Sequence, residues 1–277
     1  MTELLRVALV GAGSMGLALF RGWLSQGRLD ARGSCIFDPA PSNALREICD
    51  RHQIALNPAV TDCDANVVVI AIKPQAVEEV LPTYAGLAGG CLAVSVMAGT
   101  STETIASFLE QEEQAAHPRV IRAMPNLPAQ VGAGITGLFA PDGSSDDDKI
   151  IAETLMSAVG ETVWVATEDQ LDVVTALSGS GPAFLMAFAE AMARAGVAKG
   201  LAADTAAKLA RQTLAGTGTL LVEDDRALAD LRAAVTSPGG TTAAGLDAIL
   251  KGDKTLVDDA ASAAIRAATD RAHELKS

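Results

Sequence analysis

The chain divides into an α/β half over residues 1–165 and an all-helical half over residues 166–277, and three features predict this. Short apolar runs alternate with helical segments as far as Val165, the pattern of strands and helices in turn. Several runs, Val67–Ile72 above all, are apolar throughout rather than at every second position, as in a parallel sheet covered on both faces. Beyond Ala166 the strand-like runs stop, and four or five Ala/Leu-rich helical segments follow. With 49% apolar but only 3% aromatic residues, alanine and leucine must do most of the packing, which favours helices in close backbone contact.

The first strand, Leu5–Val10, runs into Gly11-Ala12-Gly13-Ser14-Met15-Gly16, and a helix follows to about Gln26. Gly-x-Gly-x-x-Gly between a strand and a helix suits a dinucleotide. The three glycines permit a tight turn, close approach of a pyrophosphate to backbone N–H groups, and close helix–strand packing. The α/β half therefore reads as a Rossmann-type dinucleotide-binding domain. A second strand over Ser34–Phe37 ends at Asp38, 22 residues after Gly16, where an acidic side chain usually meets the ribose hydroxyls. Asp38 equally suits a plain turn before Pro39, and Arg46 suits a 2′-phosphate, so NADH and NADPH both remain open.

Further strands are expected at Val67–Ile72, Leu92–Val96, Val120–Met124, Gly134–Ala140 and Thr162–Val165. Three loops then leave carboxyl ends of strands, the side on which open α/β sheets bind ligands. They carry Ala71, Lys73 and Pro74; Met97, Ala98 and Gly99; and Pro125, Asn126 and Pro128. Lys73 suits a ribose hydroxyl, and Asn126 suits the nicotinamide or the substrate. Pro141–Asp148 reads as an exposed turn leading into a capped helix.

In the second half, helices are expected near residues 182–195, 202–222, 225–234, 240–250 and 253–275. They are interrupted by Val235-Thr236-Ser237-Pro238-Gly239-Gly240-Thr241-Thr242. Gly239 and Gly240 allow a ligand close to the backbone, and Pro238 sets the turn. Thr241 and Thr242 open a helix whose unpaired N–H groups favour an anion. With no carboxylate, lysine or histidine inside it, the stretch suits holding a small carboxylate by hydrogen bonds rather than acid–base chemistry. Ser178 and Ser180, in Ser178-Gly179-Ser180-Gly181-Pro182, read as packing residues, since no Ser/His/Asp set accompanies them.

A net charge of −13 argues against a nucleic-acid surface or attraction to an anionic membrane. No uninterrupted apolar run approaches the ~18 residues of a spanning helix. The four cysteines are far apart, lack a Cys-x-x-Cys pattern, and stand without paired histidines, so no metal site and reduced thiols are expected. The amino-terminal residues lack the pattern of a signal peptide, and the expected setting is the cytoplasm.

Taken together, the motifs closely resemble the pyrroline-5-carboxylate reductase family nearly end to end. The resemblance is carried by Gly11–Gly16, Ala71–Gln75, Arg122–Asn126, Thr175–Ala183 and Val235–Thr242. It implies reduction of the cyclic imine 1-pyrroline-5-carboxylate to L-proline by NADPH or NADH, the last step of proline biosynthesis. It also implies that Val235, Ser237, Gly239, Gly240, Thr241 and Thr242 hold the substrate carboxylate and ring, with Thr242 near the imine nitrogen. The helical half then forms homodimers or larger homo-oligomers. There are departures: Ser14 stands where the family often has asparagine, Leu127 where threonine is common, and Ala233-Ala234 where a more polar pair is usual. Asn57 resembles a family asparagine that contacts the cofactor, about one residue out of step with Lys73. Two alternatives compete. A β-hydroxyacid dehydrogenase shares Gly-x-Gly-x-Met-Gly but needs a lysine in the helical half, where Lys199 and Lys208 are the central candidates. A non-catalytic NAD(P)-sensing protein has no need of a second ligand turn.

Overall fold

A computed structural model of the chain describes residues 4–88, 90–110, 117–250 and 255–275. In chain order the first part contains β1 (Val7–Val10), α1 (Ser14–Ser25), β2 (Cys35–Phe37), α2 (Asn43–His52), β3 (Ala55–Leu56) and β4 (Val67–Ile70). Next come α3 (Val77–Val80), α4 (Ala85–Ala88), β5 (Leu92–Ser95), α5 (Thr102–Leu109), β6 (Arg119–Met124) and β7 (Gly134–Phe139). The remainder is α6 (Asp146–Met156), β8 (Gly160–Trp164), α7 (Gln170–Val174), a π-turn (Thr175–Gly179), α8 (Gly181–Ala198), α9 (Ala203–Glu223), α10 (Leu228–Ala234), α11 (Thr241–Leu250) and α12 (Leu256–Glu274). The expected start of the last helix, residues 253–254, lies outside the described residues.

One sheet carries all eight strands in the order β3-β2-β1-β4-β5-β6-β7-β8. Strands β1 to β6 pair in parallel, but β7 runs antiparallel to β6, and β8 pairs parallel with β7. This corrects the expectation of a parallel sheet. A parallel neighbour needs a crossover of a dozen or more residues, usually through a helix. The connection from Met124 to Gly134 holds only a 3-10 turn, Leu127–Val131, so the chain must return antiparallel.

Alternation along the strands makes two cores. Val7, Leu9, Val67, Val69, Leu92 and Val94 face one layer with Leu19, Phe20 and Trp23 of α1, while Ala8, Val10, Val68, Ile70 and Ala93 face the other with Ile105 and Leu109 of α5. Trp23 is fully buried, and its indole N–H donates to the Leu155 carbonyl at 2.8 Å, so its polar atom is satisfied. Cys35 and Cys63 are joined in a disulfide with Cα atoms 6.4 Å apart, which corrects the expectation of four free thiols; Cys49 and Cys91 are free and buried. A sequence separation of 28 conceals the contact, which arises because the loop before β4 folds back beside β2.

The chain splits into two compact units, Met1–Gly179 with Thr269–Ser277, and Ser180–Ala268. The division therefore falls beyond the expected boundary at residue 165. Helix α7 and the π-turn pack on the sheet: a Cβ built on Gly137 of β7 would lie 2.7 Å from Val174 Cγ1. In the second unit α8 packs on α9, yet among its described residues only Ala206, Ala210 and Leu231 are fully buried hydrophobics. Phe184, Leu185, Phe188 and Met192 of α8 and Leu209, Leu220 and Leu221 of α9 are left substantially exposed. An apolar surface of that extent marks an interaction face. The helical run Gln170–Ala198 is long and apolar enough by composition to cross a membrane, which reading the residues alone did not register. Within it Thr175–Gly179 forms the π-turn, and Pro182 sits in the first turn of α8, where no N–H is needed.

Candidate cofactor and substrate site

The glycine loop follows from the parallel ladder. Gly11 extends β1, its N–H donating to the Phe37 carbonyl at 2.8 Å, and turns with φ of +90°, a conformation that favours glycine. A Cβ on Gly11 would meet the Ala71 carbonyl oxygen at 2.7 Å, and one on Gly16 would land on the Gly11 carbonyl. Those two glycines are therefore required by the protein itself. Gly13 differs: a Cβ there meets nothing within 4 Å. It is also the N-cap of α1, and no N-cap side chain bonds the first-turn N–H groups. Space beside a glycine at an uncapped helix N-terminus fits a phosphate, which approaches such groups closely. The residues present thus suit a dinucleotide pyrophosphate.

Around this loop the other sequence-derived residues collect at strand ends. Asp38, just past β2, accepts the Ala12 N–H at 2.8 Å through Oδ2 and the Ala40 N–H at 2.9 Å through Oδ1. Asn57, with φ of 53°, locks the same corner: its Oδ1 accepts the Asp38 N–H and its Nδ2 donates to the Asp38 carbonyl, both at 2.8 Å. Asn57 thus binds the backbone beside Asp38 while remaining exposed. Tyr84 packs against Phe37 in a tilted arrangement, with ring centroids 4.9 Å apart and planes at 55°. Burial, and then the charge of Asp38, raise its phenol pKa. Ala71 extends β4 by donating its N–H to the Val10 carbonyl at 2.8 Å, and exposed Lys73 with Pro74 leads into the next turn.

Met97, Ala98 and Gly99 follow β5. The Met97 N–H donates to Ser95 Oγ at 3.3 Å, and Gly99 has φ of +74°. A Cβ on Gly99 would meet the Leu275 carbonyl oxygen at 3.0 Å, so Leu275 packs on this loop. Asn126 is buried, and both ends of its amide are in use: Oδ1 accepts the Ile135 N–H at 3.0 Å, and Nδ2 donates to the Ser178 carbonyl at 3.2 Å. These two bonds tie the loop after β6 to the π-turn. π-Bulges recur at functional sites.

Residue reading missed three links. Gln130 Nε2 donates to Ser14 Oγ at 2.7 Å, which brings the loop after β6 over the start of α1. Glu168 accepts the Thr102 N–H at 2.7 Å, and Arg122 donates to Glu168 at 3.0 Å. Each spans 46 to 116 residues, and nothing local in the sequence signals them.

The turn expected to hold the substrate lies in the second unit. Thr236 Oγ1 donates to the Arg232 carbonyl at 2.7 Å, closing α10. The Gly240 N–H donates to the Ser237 carbonyl at 3.0 Å, and Gly239 has φ of +67° with open space where a Cβ would be. The Ala244 N–H bonds the Gly240 carbonyl at 3.1 Å, so Gly240 precedes the first turn of α11, and the N–H groups of Thr241, Thr242 and Ala243 fall among those a helix leaves unpaired. Val235, Thr241 and Thr242 are exposed in the single chain.

Two family models match this chain: pyrroline-5-carboxylate reductase dimerisation over residues 168–275, and coenzyme F420-dependent NADP oxidoreductase over residues 6–99. The pyrroline-5-carboxylate reductase of Haemophilus influenzae is 37% identical over 244 residues, covering 87% of each chain. The chain belongs to the pyrroline-5-carboxylate reductase family. A solved pyrroline-5-carboxylate reductase from Coxiella burnetii aligns with a TM-score of 0.87 at 31% identity, over 99% of this chain and 100% of that one. The fold is shared as well with a pyrroline carboxylate reductase from Plasmodium falciparum solved with NADP bound, at a TM-score of 0.79 and 23% identity over the full length of both chains. Membership in the reductase family disfavours the β-hydroxyacid dehydrogenase reading. Consistent with this, Lys199 merely closes α8 as its C-cap, and Lys208 is exposed on α9.

Proposed function

We propose that this chain reduces the C=N bond of 1-pyrroline-5-carboxylate to give L-proline, using NADPH or NADH, as the last step of proline biosynthesis. The observation that carries the cofactor half is Gly13, a glycine that the fold does not require and that leaves room for a phosphate at an uncapped helix start. When bound, the nicotinamide supplies the hydride. Gly11, Gly13, Ser14, Met15 and Gly16 hold the pyrophosphate. Asp38, with Asn57 fixing its backbone, meets the adenosine ribose. Ala71, Lys73, Pro74, Met97, Ala98 and Gly99 receive the nicotinamide end, with Asn126 holding the neighbouring loop.

Val235, Ser237, Gly239, Gly240, Thr241 and Thr242 hold the substrate. The carboxylate takes hydrogen bonds from the N–H groups that open α11, and the Thr242 hydroxyl bonds the ring nitrogen. A protonated imine is already a hydride acceptor, so alignment and exclusion of water are the main requirements, and no acid–base dyad is needed. Thr242 serves as the group that touches the reacting atoms. A helical unit with a thin core and exposed α8 and α9 faces supports assembly with further copies of the same chain, as a homodimer or larger homo-oligomer. The acidic surface and the bacterial relatives support a soluble protein of the cytoplasm.

The test is loss of reduced-nicotinamide absorbance with racemic 1-pyrroline-5-carboxylate, with NADPH and NADH in parallel and proline measured as product. Turnover of one enantiomer to proline is the expected result. A folded oligomer that oxidises neither cofactor in the presence of the imine overturns the proposal.

A further inference from the structure

Arg122 is 2% exposed in β6, yet only part of its guanidinium is satisfied. Its NH1 group donates to Glu168 Oε1 at 3.0 Å, while its Nε is buried with no hydrogen-bond partner. The pair is buried on one side only, with the Arg122 side chain 3% and the Glu168 side chain 23% exposed. Desolvation of the guanidinium offsets much of the attraction, and its unpaired buried N–H worsens the balance. Stability alone is better served by two apolar side chains of similar volume. What the pair does instead is visible in its third member. Glu168 Oε1 also accepts the Thr102 N–H at 2.7 Å, and Oε2 accepts the Thr102 hydroxyl at 3.3 Å.

Thr102 is the first residue of α5, and the loop Met97–Thr100 runs from β5 to it. One end of that loop is held by Ser95 Oγ on the Met97 N–H, and Glu168 holds the other. We propose that Arg122 and Glu168 are positioning residues. Arg122 orients the Glu168 carboxylate, Glu168 pins the Thr102 amide, and the Met97–Thr100 loop is thereby kept in the shape that receives the nicotinamide end of the cofactor. This rests on the assignment of that loop to the cofactor site.

Three full-length variants separate positioning from folding. Glu168→Gln keeps an Oε1 that accepts from both Thr102 and Arg122, but leaves the buried guanidinium without a counter-charge. Its Tm falls by about 5 °C, the order expected for an uncompensated buried charge, while KM for NADPH stays within about threefold. The double variant Arg122→Met with Glu168→Met fills the space with apolar atoms and strips Thr102 of its acceptor. Its Tm stays near that of the parent protein, whereas KM and Kd for NADPH rise about tenfold, with kcat at saturating cofactor and KM for the imine changed less than about twofold. The third variant, Ala98→Leu, obstructs the loop directly and raises KM for NADPH. Unchanged cofactor affinity in Ala98→Leu removes the loop from the cofactor site, and the proposal with it. A raised KM in Ala98→Leu beside an unchanged KM in the double variant leaves the loop assignment standing and overturns the positioning role. Cofactor KM that simply follows Tm across the first two variants also overturns it.

Discussion

Exchanging Gly13 for alanine separates ligand binding from folding at a single atom. The backbone of Gly13, at φ −65° and ψ −162°, suits any L residue, and the added Cβ meets nothing within 4 Å. Restricting the unfolded chain by a Gly→Ala change contributes about 0.4–1 kcal/mol, and the poorer N-cap quality of alanine offsets a similar amount. Tm should therefore move by less than about 3 °C. The methyl group, however, stands where the pyrophosphate approaches the N–H groups at the start of α1. Losing one or two hydrogen bonds to a charged group costs about 1.5–3 kcal/mol, which raises KM for NADPH roughly 10- to 150-fold. The matched control is Gly16→Ala, whose Cβ lands on the Gly11 carbonyl and lies 3.3 Å from Ala71 Cβ. That clash is with backbone and no rotamer relieves it, so overpacking costs about 3 kcal/mol and Tm drops by about 6–12 °C. The assay is a thermal melt of both variants beside steady-state kinetics at varied NADPH. Wild-type cofactor KM in Gly13→Ala refutes the phosphate cradle, and a melt as depressed as that of Gly16→Ala refutes the claim that the space is open.

Other perturbations test the remaining parts. Thr242→Ala should lower kcat/KM for the imine about tenfold or more while Kd for NADPH, read by fluorescence titration, stays unchanged; full activity takes Thr242 out of the reaction. Asp38→Ala removes the acceptor for two backbone amides as well as a ribose contact, so both cofactors should bind less tightly, NADH more so, with Tm down by a few degrees; parallel titrations of NADH and NADPH with equal losses end the ribose-selection idea. Burial raises the Cys91 thiol above the ordinary 9.0, partly countered by Arg119 and Arg6, so the folded state favours the protonated form. Its stabilisation is complete below that value and is lost as pH rises through the folded pKa, giving a Tm that declines above about pH 9. Cys91→Ala should flatten that decline in melts taken from pH 8 to 11; an unchanged slope assigns it to other groups.

The features legible in the sequence were those whose signals are local. Gly11–Gly16 lies between one strand and one helix, and the φ of Gly11 and the contact of Gly16 with Gly11 arise within six residues. Turns such as Val235–Thr242 announce themselves in the same way, through Pro, two glycines and two threonines in a row. Asn126 was visible as a polar residue between two prolines, but its backbone partners at Ile135 and Ser178 were not. The antiparallel β7 was concealed for a different reason. Its residues look like any buried strand, and only the lack of a crossover helix before Gly134 betrays its direction.

The alternation of apolar runs with helices, the glycine spacing and the loss of strands after Ala166 by themselves determined an α/β half, its glycine loop and a helical half. Periodicity and turn chemistry act over a few residues and are written directly in the order of side chains. Tertiary structure alone decided the direction of β7, the Cys35–Cys63 bond, the packing of Leu275 on Gly99, and the part-buried link from Arg122 through Glu168 to Thr102. These join residues brought together only when the sheet closes and its faces are covered. Their partners are selected by three-dimensional proximity and by the need to satisfy buried polar groups, which no local pattern records.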